Sequence, residues 1–386
     1  PHRQLGRLDH ALEAGAGGVG KTTTAAAVAT MAASTLGLKV LVVTVDPARR
    51  LANAMGLERF GNVEVRVPDE AFTSVGIRPT GELWAAMLDT KESWDDLVRS
   101  HAPDAATRDA ILANPLYTNI SSKFVQSHDY VAMERLYELH SSGRFDLIVV
   151  DTPPTRNALD FLDAPERMAD FFSSRLLRWL IAPSRSRVIN LASKPFYTVA
   201  DRILGSQFLS DIAEFFMLFQ SMYDGFVERS QAVSRLLASA DTSFVVVSTL
   251  EAAAAREARL FIAELDKRNY DVGALVLNKT LPAGLTDRAA TVTAHDLAEH
   301  GAARAEVLAE RLGVGEDGRV PLGRMLPELG ENFLRFQLVA GREAEERDRL
   351  TADAAVVASV PYFAEDITDI AGLVRLGRQL WDDSER

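Results

Sequence analysis

The 386-residue chain contains no cysteine. That removes disulfides, thiolate zinc sites and thiol nucleophiles from consideration. It also lacks any run of 18 or more uncharged apolar residues, so no stretch is long enough to cross a bilayer as a helix. The N-terminus shows no signal-peptide pattern, and together with the missing thiols this leads us to expect a cytoplasmic protein. Positive charge is in deficit: 42 Lys and Arg stand against 54 Asp and Glu, a net charge of −12. Such a balance argues against a nucleic-acid partner. The seven histidines show no metal-ligand spacing, and no Ser-His-Asp arrangement can be picked out of the sequence order. There is no internal repeat and no low-complexity tail.

What is present is a core and a loop. Apolar residues make up 47% of the chain, enough for a sizeable core, and 386 residues are long enough for one large α/β domain with insertions or for two domains. The stretch Gly15-Ala16-Gly17-Gly18-Val19-Gly20-Lys21-Thr22-Thr23 fits G-x-x-x-x-G-K-[ST]. Glycines let successive backbone N–H groups curl around a polyphosphate, and a helix opening at the loop aims its unpaired N–H groups at the same anion. Lys21 would then reach the β- and γ-phosphates of ATP, and the Thr22 hydroxyl would coordinate Mg²⁺. The plainer alternative is a glycine-rich turn ahead of a helix.

Short apolar runs separated by helical pattern follow: Val40–Val45, Leu147–Val150, Phe244–Ser248, Ala274–Leu277 and Val356–Val360. They predict a doubly wound, mostly parallel sheet with helices on both faces and helical insertions, the P-loop NTPase class of α/β fold. The small-residue segment Lys21–Ala33 predicts a helix packed closely on that sheet and ended by Gly37. Asp46, Asp151, Thr249 to Glu251, Asn278 and Pro361 all fall at the carboxyl ends of strands, where such sheets bind ligands. Asp151, ending an apolar strand, is placed to hold the Mg²⁺ shell; as a lone feature it would instead cap a turn. No apolar run precedes the loop, and Arg7, Asp9, His10 and Glu13 crowd the segment. We expect a truncated or mis-joined start there, the alternative being an unusually polar first strand.

We expect one P-loop ATPase domain over 1–386 with two helical insertions. Residues 165–237 form an aromatic-rich one, where Phe208, Ile212, Phe215, Phe219, Met222 and Phe226 recur on one helix face. That face is either core or a surface for a hydrophobic client or partner. Residues 281–350 form a variable Ala-, Glu- and Arg-rich helical one, with a flexible break at Gly313 to Gly318.

Together these residues resemble the ArsA-type anion-transporting ATPase family, which includes the cytosolic ATPases that guide tail-anchored membrane proteins. The family loop G-K-G-G-V-G-K-T-T aligns with Gly15 to Thr23, its first switch with Asp46-Pro47-Ala48-Arg49, and its second with Asp151-Thr152-Pro153-Pro154-Thr155. By this likeness Asp46 would orient or activate the attacking water, where otherwise it only caps the following helix. The family's adenine-contacting Asn matches Asn278, and its later Pro-containing loop matches Pro361-Tyr362-Phe363. The resemblance implies an ATP-driven switch acting as a homo- or heterodimer in transport or protein targeting, peripheral to the membrane, with a hydrophobic or membrane-protein client.

Two departures qualify it. The family's signature lysine is Ala16 here, so either Arg49, Arg50 or Arg156 stands in, or a lysine-bearing paralogue completes the site. The absence of cysteine excludes thiolate-mediated arsenite transport and a zinc-clipped dimer. The rival function is a nucleotide-binding regulatory subunit with little hydrolysis of its own. A positioning ATPase of the partition type is a third, against which the acidic C-terminal segment from Trp381 argues.

Overall fold

The computed structural model describes residues 10–45, 50–57, 61–88, 90–114, 117, 125–153, 155–173, 218, 222–352 and 356–383. In chain order the elements are β1 (His10–Ala14), α1 (Lys21–Thr35), β2 (Lys39–Thr44), α2 (Arg50–Ala54), β3 (Val65–Arg66), α3 (Asp69–Thr73), β4 (Glu82–Met87) and α4 (Thr90–His101). Then come α5 (Ala105–Ala113), α6 (Val125–Ser141), β5 (Leu147–Asp151), α7 (Thr155–Ser173), α8 (Tyr223–Leu237), β6 (Thr242–Ser248) and α9 (Ala252–Lys267). The chain continues through β7 (Val272–Thr280), α10 (Arg288–Leu312), α11 (Glu316–Thr351), β8 (Val357–Pro361) and α12 (Ile370–Asp383).

The eight strands form one sheet in the order β3-β4-β2-β5-β1-β6-β7-β8. Every pairing is parallel except β3 with β4. Strand alternation explains why helices cover both faces. In β2, Val40 and Val42 point to the side held by α1 and α12, while Leu41 and Val43 point to the side held by α6, α7 and α9. All four are fully buried, which stabilises the fold by about 1.5–3 kcal/mol for each side chain. The Ala-rich sequence of α1 lies flat on the sheet, and Leu36 caps it before Gly37 takes a positive φ of 71°.

The expected strands are all present, with ends displaced by up to three residues. Two more join them. The polar segment ahead of the loop is the central strand β1, between β5 and β6, and its Ala11 and Leu12 are core residues. β4 carries Trp84 and alanines instead of a β-branched run.

A third apolar cluster lies among the helices: Trp94, Tyr130, Met222 and Phe226 meet there, fully or nearly fully buried. Two members of the predicted apolar face, Met222 and Phe226, are thus core; Phe208, Ile212, Phe215 and Phe219 lie outside the described residues. Beneath this cluster Glu134 is buried beside Arg229 and accepts a 2.6 Å hydrogen bond from the Tyr130 hydroxyl. Burial holds its carboxyl above the ordinary range, with Arg229 opposing the shift.

The second insertion is an antiparallel hairpin of α10 and α11 between β7 and β8. Its seam is built from small residues. Ala294, Gly301, Ala305 and Ala309 of α10 are buried, as are Gly330 and Ala340 of α11. A Cβ on Gly330 would stand 2.5 Å from the Ala294 carbonyl oxygen. The break is confined to a few residues. Gly313 closes α10 with φ 66°, and α11 begins at Glu316 and carries Gly318, Pro321 and Pro327 within it.

Candidate nucleotide site

β1 brings the chain to the carboxyl edge of the sheet, where residues 15–20 turn before α1. Two glycines are imposed by geometry. A Cβ on Gly15 would lie 2.0 Å from the Val247 carbonyl oxygen. Gly20, which precedes the first turn of α1, has φ 100°, and a Cβ there would lie 2.3 Å from the Asn278 amide nitrogen. No side chain caps α1 at Gly20, so the first-turn N–H groups of Lys21, Thr22 and Thr23 face the loop's concavity. Gly17 and Gly18 are exposed, Val19 and Ala16 are buried, and Thr22 and Thr23 are half-buried.

Five of the loop's carbonyls accept side-chain donors. The buried Lys21 ammonium donates to Gly15 O and Ala16 O, both at 2.9 Å. Lys279 Nζ donates to Gly18 O at 3.3 Å, Asn278 Nδ2 to Val19 O at 2.8 Å, and Thr24 Oγ1 to Gly20 O at 3.0 Å. In a trans peptide the N–H points opposite to the C=O. A donor on each oxygen therefore polarises the unit and turns the N–H of Ala16, Gly17, Val19 and Gly20 to the other side. N–H groups left open on successive residues of such a loop are what an anion cradle is made from.

Asn278 and Lys279 reach the loop because β7 is irregular there. Its register with β8 shifts between Leu277 and Thr280, and Lys279 takes a left-handed φ of 58°. The Lys279 N–H donates to Asn278 Oδ1 at 2.9 Å, which fixes the orientation of the Asn278 amide. Pro361 ends β8 beside Thr280, where the Tyr362 N–H donates to the Thr280 carbonyl at 3.1 Å.

At the foot of the loop Asp151 ends β5 and is 1% exposed. Its Oδ2 accepts from Thr22 Oγ1 at 2.7 Å and from Thr44 Oγ1 at 3.0 Å. Sheet register produces this meeting, since Thr44 of β2 pairs directly with Asp151. A hydroxyl from the loop helix and a buried strand-end carboxylate in contact are the donor set that suits Mg²⁺, a hard cation that binds through few carboxylates plus phosphate oxygens. Among the described residues no cluster of three or more His, Asp and Glu could hold a metal by itself.

The structure thus gathers Gly15, Gly17, Gly18, Val19, Gly20, Lys21, Thr22, Thr23, Asn278 and Asp151 around one loop, with Pro361 one strand further out. Asp46 lies outside the described residues, as do Arg49 and the side chains of Arg50 and Arg156. Sequence reasoning missed Thr44 and Lys279. Thr44 had one signal, its place as the last polar position of an otherwise apolar strand; Lys279 had none beyond its adjacency to Asn278.

A glycine loop between the central strand and first helix of a parallel sheet, with a buried lysine and a strand-end aspartate, defines a P-loop nucleotide-binding protein. The chain belongs to the anion-transporting ATPase family, whose model matches residues 10–300. It is similar to the ATPase get3 of Aspergillus niger, 27% identical over 271 residues, covering 69% of this chain and 71% of that protein. The ATPase ASNA1 homolog 1 of Paramecium tetraurelia is 24% identical over 272 residues, 69% of this chain and 73% of the relative. The protein is therefore an ATPase. The family match ends within α10, so α11, β8 and α12 lie beyond it. Among the described residues no helix is long and apolar enough to cross a membrane.

Proposed function

We propose that this ATPase is magnesium-dependent and that turnover drives a conformational change serving transport or protein targeting at the cytoplasmic face of a membrane. One observation carries the reading: the Thr22 hydroxyl and Asp151 carboxylate meet at 2.7 Å below a loop whose N–H groups are set to receive phosphate. Bound magnesium would neutralise charge on the β- and γ-phosphate oxygens. Lys21 supplies the matching positive charge from the protein, and Thr44 keeps Asp151 turned toward Thr22. Asn278 and Pro361 border the adenine. Asp46, by the family pattern, orients the attacking water. Dimerisation, with a second copy or with a paralogue, completes the site, and the insertion at residues 165–237 receives a hydrophobic client.

Ala16 favours a second reading. Its side chain is buried and brings no cation to the β–γ bridge. In that reading the chain binds nucleotide as a regulatory subunit and hydrolyses little.

Calorimetry and phosphate release together decide between them. The hydrolase reading expects Mg²⁺-dependent ATP binding and turnover, both lost in Lys21→Ala. Binding without turnover in the purified chain, restored to the full rate by a lysine-bearing paralogue, assigns the regulatory role. No ATP binding in the presence of Mg²⁺ overturns both.

A further inference from the structure

Of twelve large apolar side chains that stand exposed among the described residues, nine lie on the α10–α11 hairpin. Single exposed apolar residues need no explanation, but this concentration on one element does. Four of them, Met325, Leu329, Phe336 and Val339, are between 46% and 56% exposed. At 100° per residue they fall with the exposed Asn332 inside an arc of about 80° on α11, to one side of the seam with α10.

The stripe is close to palindromic. Met325 and Val339 lie seven residues either side of Asn332, with Leu329 three before it and Phe336 four after. Laid antiparallel on a second copy with the two-fold axis at Asn332, Met325 faces Val339 of the other copy and Leu329 faces Phe336. Asn332 meets itself, as a polar residue does where it fixes register at the centre of a helix pair. Glu328 and Arg335 lie on the same border of the stripe, four residues before the axis and three after. A two-fold axis brings that border against itself, so Glu328 of each copy opposes Arg335 of the other. Arg335 is exposed and already bonds a carboxylate on its own helix, Glu331, at 3.2 Å. An apolar client would gain little from a convex helix flank with an amide at its centre. A second identical flank satisfies every position of it.

We propose that the hairpin is a self-association surface: two copies of this chain join through antiparallel α11 helices, and the four helices of the two hairpins form a bundle. The contact is independent of the nucleotide cradle and lies largely beyond the family match.

Sedimentation equilibrium on the full chain without nucleotide tests it, repeated in a Lys21→Ala background so that ATP-driven association does not contribute. Wild type is expected to form dimers at micromolar concentration. Phe336→Asp is expected to weaken them at least tenfold while circular dichroism keeps the helix content. The sharper arm uses charge. Glu328→Arg and Arg335→Glu should each weaken self-association, and an equimolar mixture of the two should dimerise again, because each then offers the other its complement. A wild type that stays monomeric to 100 µM overturns the proposal. So does a mixture that associates no better than either variant alone, or dimers untouched by Phe336→Asp.

Discussion

The cradle and the hairpin are both close-packed around glycine, yet they are specified in different ways. In the cradle the backbone is the functional group. Side chains from α1 and β7 grip the loop carbonyls and leave the N–H groups turned away from them, and Gly15 and Gly20 sit where any Cβ would strike Val247 or Asn278. In the hairpin the glycines only let two helices approach, and the outer flanks carry what is distinctive. The first arrangement tolerates almost no substitution at Gly15 and Gly20, where a Cβ would strike a neighbour. The second tolerates many, provided the seam stays small, which agrees with a family match that spans the cradle and stops within α10.

The comparison breaks most visibly at Lys21. Lys21→Ala is expected to lower ATP turnover by about 10²–10³-fold, since it removes a cation from developing phosphate charge. The melting of the hairpin should not change, because the Lys21 ammonium is bonded to the loop carbonyls of Gly15 and Ala16. Equal losses of turnover from Lys21→Ala and from a hairpin substitution such as Leu338→Ala would erase the distinction.

A matched pair of alanines sharpens it. Gly15→Ala and Gly330→Ala each push a Cβ to within 2.5 Å of a backbone oxygen, and each should cost about 1–3 kcal/mol. The Gly15 variant should show this as weaker ATP binding in calorimetry. The Gly330 variant should show it as faster amide hydrogen exchange confined to residues 288–351, with ATP affinity unchanged. Ala16→Lys is the gain-of-function counterpart. By restoring the family's signature cation it should raise turnover of the purified chain about tenfold or more. An unchanged rate would place the deficit elsewhere, in the segment around Asp46.

Much of this was legible in the sequence where the physics is local. A glycine spacing that exposes N–H groups, and β-branched runs such as Val-Leu-Val-Val at 40–43, name their own conformation. What escaped depends on neighbours distant in the chain. β1 is strand because β5 and β6 pair with both its edges; its own five residues, His-Ala-Leu-Glu-Ala, would not hold it. Pro321 and Pro327 sit inside α11, where residue-level rules end a helix, because the seam with α10 holds the segment helical around them. Met222 and Phe226 read correctly as an apolar face, but Trp94 and Tyr130 from two other helices made that face core. Thr44 and Asp151 are 107 residues apart and meet only through sheet register.

Lys279 tests whether the carbonyl side of the cradle matters at all. Its bond to Gly18 O is long, 3.3 Å, and exposed to water, so its removal should weaken ATP binding only about two- to five-fold, roughly 0.5–1 kcal/mol. The smallness of the effect makes the pattern across ligands decisive. If Lys279 acts by turning the Val19 N–H toward phosphate, Lys279→Ala should weaken ATP and ADP and leave adenosine unaffected, and Lys279→Arg should restore the loss. If it merely steadies the β7 bulge, adenosine should weaken equally, because Asn278 would shift with it. The left-handed backbone at 279 supplies a control. Lys279→Asn keeps a residue suited to that φ while removing the charge. Matching losses in Lys279→Asn and Lys279→Ala assign the effect to the ammonium, whereas a normal Lys279→Asn assigns it to the backbone.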